Sequence, residues 1–177
     1  MSYLTVLGID PASIRNLGIA IVGVDTESRK FDVKTHYTDV FPDFESDGAR
    51  LSHAYSVVQK IIEEYKPDVM AVELSMGFGK AFVRQNLQET VGSIKLCCFR
   101  NNVLVKEIAP THIKLIVAGS GKAGKPEMKN WIKKIVGIER PKTEHEADAA
   151  ASAITYMVDE GLIDPIHEPT VKKKSKK

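Results

Sequence analysis

Three β-prone runs crowd the start of this chain, and the links between them are short. Thr5, Val6, Leu7 and Ile9 form an apolar run that ends at Asp10, where Pro11-Ala12-Ser13 is expected to force a turn. Leu17 to Val24 reads as a second strand and Phe31 to Val40 as a third. Links of this length return a chain antiparallel to itself, whereas a parallel crossover needs many more residues. The expected product is an antiparallel meander.

The pattern then changes. Phe41 to Gly48 reads as loop, and from Ala49 to Tyr65 the apolar residues Leu51, Ala54, Tyr55, Val58, Ile61 and Ile62 fall at helical spacing. Pro67-Asp68 introduces a short buried strand, Val69-Met70-Ala71-Val72, which delivers Glu73 at its end. Glycines 77 and 79 mark a loop before a helix from about Ala81 to Phe99. Its stripe of Leu87, Val91, Ile94 and Cys98 suits either core packing or a subunit interface. A strand over Val103 to Ile108 follows, and Pro110 opens a short helix through Val117. Ala118 to Lys125 is a Gly/Lys loop, with a further helix from Pro126 to Val136. Thr143 reads as an N-cap with Glu146 at its third position, the signature of a capping box on a helix running to about Glu160. Strands first and strand–helix alternation afterwards predict an α/β fold in which helices flank one mixed sheet. Residues 1–164 are expected to form that domain, and 165–177, ending in a lysine run, a disordered basic tail.

The chain has 177 residues, 43% of them hydrophobic, which is enough for one core without disulfide or metal staples. A formal net charge of +2 leaves any affinity for polyanions to the placement of individual lysines. Cys97 and Cys98 are adjacent in an apolar run and behave as small hydrophobes there. With no signal-like start and no apolar stretch of membrane-spanning length, the expectation is a soluble protein in the cytoplasm.

Three acids occupy informative places. Asp10 and Glu73 each end a strand, and Asp148 lies one turn after His145 on the same face of the last helix. If the two strands are neighbours and that helix packs beside them, four potential ligands converge from distant points. Such a cluster repels itself unless a hard cation such as Mg²⁺ neutralises it. Taken singly, each has an ordinary role: Asp10 as a turn residue before Pro11, Asp148 as a complement to the helix dipole, and His145 as a surface histidine. Gly119 to Lys125 mimics a phosphate-binding loop. However, Pro126 stands where the metal-binding hydroxyl belongs, and a helix precedes the loop where a strand is required.

The motifs in order resemble those of the RuvC family of Holliday junction resolvases, within the ribonuclease H-like superfamily. Leu7-Gly8-Ile9-Asp10-Pro11-Ala12-Ser13, then Leu17-Gly18-Ile19-Ala20, resembles the family's opening, with Ala12 where glycine is usual. Ala71-Val72-Glu73 resembles its second acidic strand, and Val91-Gly92-Ser93 the helix beyond. Ala109-Pro110, Lys114, Val117-Ala118-Gly119 and Lys125 resemble the later basic segment. Ala147 to Thr155 resembles the last catalytic helix. The lysine tail and the divergent motifs suit a phage or viral-type member.

The resemblance implies a five-stranded ribonuclease H-like sheet and a structure-selective endodeoxyribonuclease. It would resolve four-way junctions or other branched DNA by paired nicks, leaving 5′-phosphate and 3′-hydroxyl ends. It gives Asp10, Glu73 and Asp148 the roles of metal ligands, with His145 at the fourth acid's position and Glu144 as a substitute on the same face. It implies up to two Mg²⁺ ions per site, with Mn²⁺ able to replace them, and a two-fold symmetric homodimer. Lys114 and Lys125 would neutralise phosphate. Phe78, Lys80 and Lys122 complete the expected DNA contacts, an aromatic ring being able to wedge against an unstacked base. Two alternatives differ in outcome: a module that binds branched DNA without cutting, and a related nuclease acting on RNA or RNA–DNA hybrids.

Overall fold

The structure is a computed structural model that describes residues 2–13, 15–74, 81–137 and 143–167. Strand β1 (Tyr3–Ser13) pairs antiparallel with β2 (Asn16–Asp25), which pairs antiparallel with β3 (Phe31–Val40). On its other side β1 runs parallel to β4 (Val69–Glu73), and β4 runs parallel to β5 (Leu104–Ile108). The five-stranded sheet therefore has the order β3-β2-β1-β4-β5, the mixed arrangement expected from the sequence. It is the ribonuclease H-like α/β architecture.

Alternation along the strands divides the core between two faces. Leu7, Ile9, Ile19, Ile21, Met70 and Val72 point to the face covered by α1 (Asp47–Tyr65) and α2 (Ala81–Arg100). Val6, Ala20, Val22, Val69 and Ala71 point to the opposite face, covered by α3 (Pro110–Ala118), α4 (Lys125–Val136) and α5 (Glu144–Asp159). Ser46 caps α1 by accepting from the Ala49 N–H, which satisfies one of the orphan donors of the first turn. Buried Arg50 ties α1 to α2 through Asn86 and Thr90.

Two expectations need correction. Pro11-Ala12-Ser13 does not turn the chain: β1 continues to Ser13, and the register slips between Asp10 and Ser13. Proline lacks the N–H that a regular ladder requires, and a bulge accommodates it without ending the strand. Asp10 thus sits where a bulge begins. Of the α2 stripe, Val91, Ile94 and Cys98 are buried, the last two against β1, α1 and β4, while Leu87 is half-buried. Beyond α5, residues 165–167, assigned to the tail by composition, are placed against the domain. His167 meets Val117 O through Nε2 at 3.0 Å and sets its ring edge-on to Trp131. Residues 168–177, the rest of the expected tail, lie outside the described residues.

The approach of α5 to the sheet is unusually close because two strand positions carry no side chain. A Cβ at Gly8 would stand 2.0 Å from the Ala149 carbonyl oxygen, and one at Gly18 only 2.2 Å from that of His145. Ala147, Ala149, Ala150, Ala151 and Ala153 keep the helix equally thin. Gly18→Ala should therefore push the first turn of α5 off the sheet. Overpacking of this kind costs about 1–3 kcal/mol, which corresponds to a melting temperature lower by roughly 2–12 °C. Thermal unfolding followed by circular dichroism checks this, and an unchanged transition would contradict the close approach.

Candidate active site

The β1–β4 pairing runs from Val6↔Val69 to Ile9↔Val72, so the next residue on each strand is Asp10 and Glu73. On the other side, Asp10 pairs with Gly18. Both acids share the strand phase of Val6 and Ala71, whose side chains face α5. Above Gly18 lies the first turn of α5, which brings in His145 and, one turn later, Asp148. Thr143 caps that turn, its hydroxyl accepting from the Glu146 N–H at 3.2 Å.

His145 Nδ1 lies 3.0 Å from Asp10 Oδ2, with side chains 27% and 13% exposed. An ionised carboxylate can only accept, so Nδ1 carries the proton and a neutral ring presents its Nε2 lone pair elsewhere. The bond to Asp10, more than the burial that opposes it, raises the His145 pKa. Burial first, then the charges of Asp10 and Asp148, push Glu73 up to about 7, with Lys114 opposing. Burial and Asp10 likewise push Asp148 up to about 6, against Lys125 and His145. Asp10 acts on both of these acids, and Asp148 also on Glu73. The four side chains form one electrostatic unit of the kind found where charge is put to use.

The basic residues complete it. Lys114 on α3 and Lys125 at the start of α4 line a cavity of about 170 Å³ together with Glu73 and Asp148. Lys125 Nζ also meets Glu144 Oε2 at 2.8 Å, an exposed pair that raises the lysine's pKa and lowers the acid's. Glu144 is thereby turned toward Lys125. Lys122 is exposed on the α3–α4 link, away from the residues lining this cavity. Phe78 and Lys80 lie outside the described residues. Gly119, the first residue of the phosphate-loop mimic, caps α3 with φ 73° and donates to Leu115 O, so a helix end stands where that motif needs a strand.

The donor set is oxygen-rich with one imidazole, a composition that fits Mg²⁺ or Mn²⁺. Among the described residues no group of three or more His, Cys, Asp or Glu side chains is placed close enough together to hold a metal ion as they stand. The charge of Asp10 reaches Glu73 and Asp148 and helps raise their pKa values, and repulsion between carboxylates opposes closer approach.

Comparison with known proteins decides the family. The model for "Crossover junction endodeoxyribonuclease RuvC" matches residues 6–156. The chain belongs to the RuvC family. It is 30% identical over 158 residues to the RuvC of Fusobacterium nucleatum, spanning 87% of this chain and 80% of that one. It is also 31% identical over 160 residues to the RuvC of Rickettsia prowazekii, spanning 88% and 98%. Thermus thermophilus RuvC superposes with a TM-score of 0.78 at 25% identity, covering 92% of this chain and all of that one. The same protein in complex with a Holliday junction substrate superposes at 0.80. This chain is accordingly an enzyme of the crossover junction endodeoxyribonuclease class. No helix among the described residues is long and apolar enough to cross a membrane.

Reading the sequence missed His36 and Thr38 on β3, which reach α5 beside the acids. The available signal was two polar residues at i and i+2, on one face of a strand. The raised acids also have a measurable consequence. Glu73 and Asp148 bind protons more tightly in the folded chain than their ordinary values of 4.5 and 3.8 allow. Their contribution to stability is therefore present below about pH 4 and lost as pH rises through about 6–7. In EDTA at pH 8, Glu73→Gln should melt about 3–6 °C above the parent, and the gap should close as the pH falls to about 4. A melting temperature that falls at pH 8 would contradict the repulsion.

Proposed function

We propose that this RuvC-family enzyme is a divalent-metal-dependent endonuclease that resolves Holliday junctions by paired nicks. The observation that carries the reading is the row of Asp10 and Glu73 at one rim of the sheet, faced by Asp148 and His145 and flanked by Lys114 and Lys125. Its relatives' names and the junction-bound Thermus protein support the substrate class.

Asp10, Glu73, Asp148 and His145 would hold Mg²⁺, with Mn²⁺ as a substitute and up to two ions per site. Bound there, the cations supply charge neutralisation and a more acidic water for hydrolysis of the phosphodiester. The chain's own groups do the rest. Lys114 and Lys125 bind and orient the phosphate, the burial around Glu73 and Asp148 limits competing water, and His145 Nδ1–H holds Asp10 in place. Phosphate contacts dominate affinity and make it fall steeply with salt. Selection is by shape, because a branch point bends cheaply. A junction has two-fold symmetry, so a C₂ homodimer supplies two sites for two nicks.

The test is a junction-nicking assay in Mg²⁺ with single-residue variants. Asp10→Asn and Asp148→Asn should each lower cutting by about 10²–10³-fold or more, the scale on which losing one stabilising group at a reacting centre is felt, while junction binding stays within about twofold. EDTA should abolish cutting of the parent. Binding without cutting by the parent would instead mark an architectural module, and preference for RNA–DNA hybrids a different substrate class. His145→Ala should raise the Mg²⁺ needed for half-maximal rate by about 10–100-fold, the usual cost of a lost ligand or its support. An unchanged metal titration would remove His145 from the site.

A further inference from the structure

The edge strand β3 contributes nothing to the acidic row, yet it reaches the helix that does. Thr38 pairs with Gly18, which pairs with Asp10, so Thr38 lies on the row that continues from Asp10 across β2; His36, paired with Ala20, lies on the next row, that of Gly8 and Ala71. They share one face of β3. His36 Nδ1 is 2.8 Å from Glu146 Oε2, and Glu146 is only 4% exposed. Thr38 Oγ1 is 2.5 Å from Thr143 Oγ1.

The donors and acceptors close into a chain. Thr143 Oγ1 accepts from the Glu146 N–H at 3.2 Å and donates to Glu146 Oε1 at 3.5 Å. Its one proton is thereby used, so Thr38 is the donor to it. The His36 ring N–H donates to the other oxygen of the same carboxylate. Two residues of an edge strand thus grip the N-cap and the third residue of α5, on either side of Glu144 and His145. Gly18 fixes how close that turn can come; this grip fixes its rotation and its place along the row.

We infer that His36 and Thr38 are positioning residues that set the orientation of His145 and Asp148 toward Asp10 through Glu146 and Thr143. Their effect on catalysis rests on the nuclease reading above, whereas their effect on the His145–Asp10 bond does not. A buried carboxylate deprived of one of its donors would turn toward another, and the turn carrying His145 would rotate with it. Misplacement by about 1 Å at a reacting centre costs on the order of 10²-fold in rate.

The experiment compares His36→Leu, Thr38→Val and His36→Asn with the parent. Asparagine places an N–H donor near the position of the histidine Nδ1. In metal-free protein, the ¹⁵N resonance of His145 Nδ1 should shift in His36→Leu and return toward the parent position in His36→Asn. In Mg²⁺, His36→Leu should lower kcat for junction nicking by about 10–100-fold, with the Kd for uncleaved junction within about twofold and His36→Asn recovering most of the rate. Thr38→Val, which preserves volume, should show the same pattern more weakly, and it serves as the test if His36→Leu does not fold. A folded His36→Leu or Thr38→Val with parental His145 resonances overturns the inference, as does asparagine no better than leucine. If the parent itself fails to nick junctions, the nuclease reading falls, and the resonance of His145 still decides the positioning role.

Discussion

The contact on which the rest depends is the seating of the α5 backbone directly on Gly8 and Gly18. A helix normally stands off a sheet by the thickness of two side-chain layers. Here one layer is absent at two points and the other is reduced to methyl groups, so His145 and Ala149 bring main-chain oxygens to where a Cβ would lie. This places Asp148 and His145 beside Asp10 without long or flexible side chains. The glycines weaken the strands, since they pack no side chain of their own. That local cost is offset by a site whose members are held by backbone.

Electrostatics explains why such rigidity is needed. Carboxylates gathered at a partly buried rim lose solvation and feel one another's charge, and burial first, then the charge of Asp10, raises the pKa values of Glu73 and Asp148. A softer scaffold would relieve this by splaying apart. The sheet register prevents this for Asp10 and Glu73, because the parallel pairing of β1 and β4 fixes them as neighbours. The packing of α5, and the link from β3 to its first turn, do the same for Asp148. Lys114 and Lys125 lower the cost and leave a positive wall toward the cavity. Stored repulsion of this sort favours whatever brings positive charge, and a cation accompanied by a phosphate is the natural occupant.

Much of this is legible in the amino-acid sequence because it is local. The short links of the first three strands give the meander, helical spacing gives α1, and Thr143 with Glu146 marks the start of α5 within a residue. The positions of Asp10, Glu73 and Asp148 follow from resemblance, since spacing alone leaves each with a bland role. What is not legible is non-local. Pro11 looks like a turn residue until the pairing with β2 shows it inside a bulged strand. The stripe that holds Ile94 and Cys98 suits core and interface alike until those two are seen packed with α1. Glu146 reads as a capping partner, and only the fold shows that His36, more than a hundred residues earlier, is its donor.

The most direct measurement is anomalous diffraction from crystals grown in Mn²⁺ without DNA. The account predicts at least one peak within coordination distance of carboxylate oxygens from Asp10 and from Glu73 or Asp148, and its loss in a Glu73→Gln, Asp148→Asn double variant. Manganese bound elsewhere on the protein with that rim left bare would contradict it.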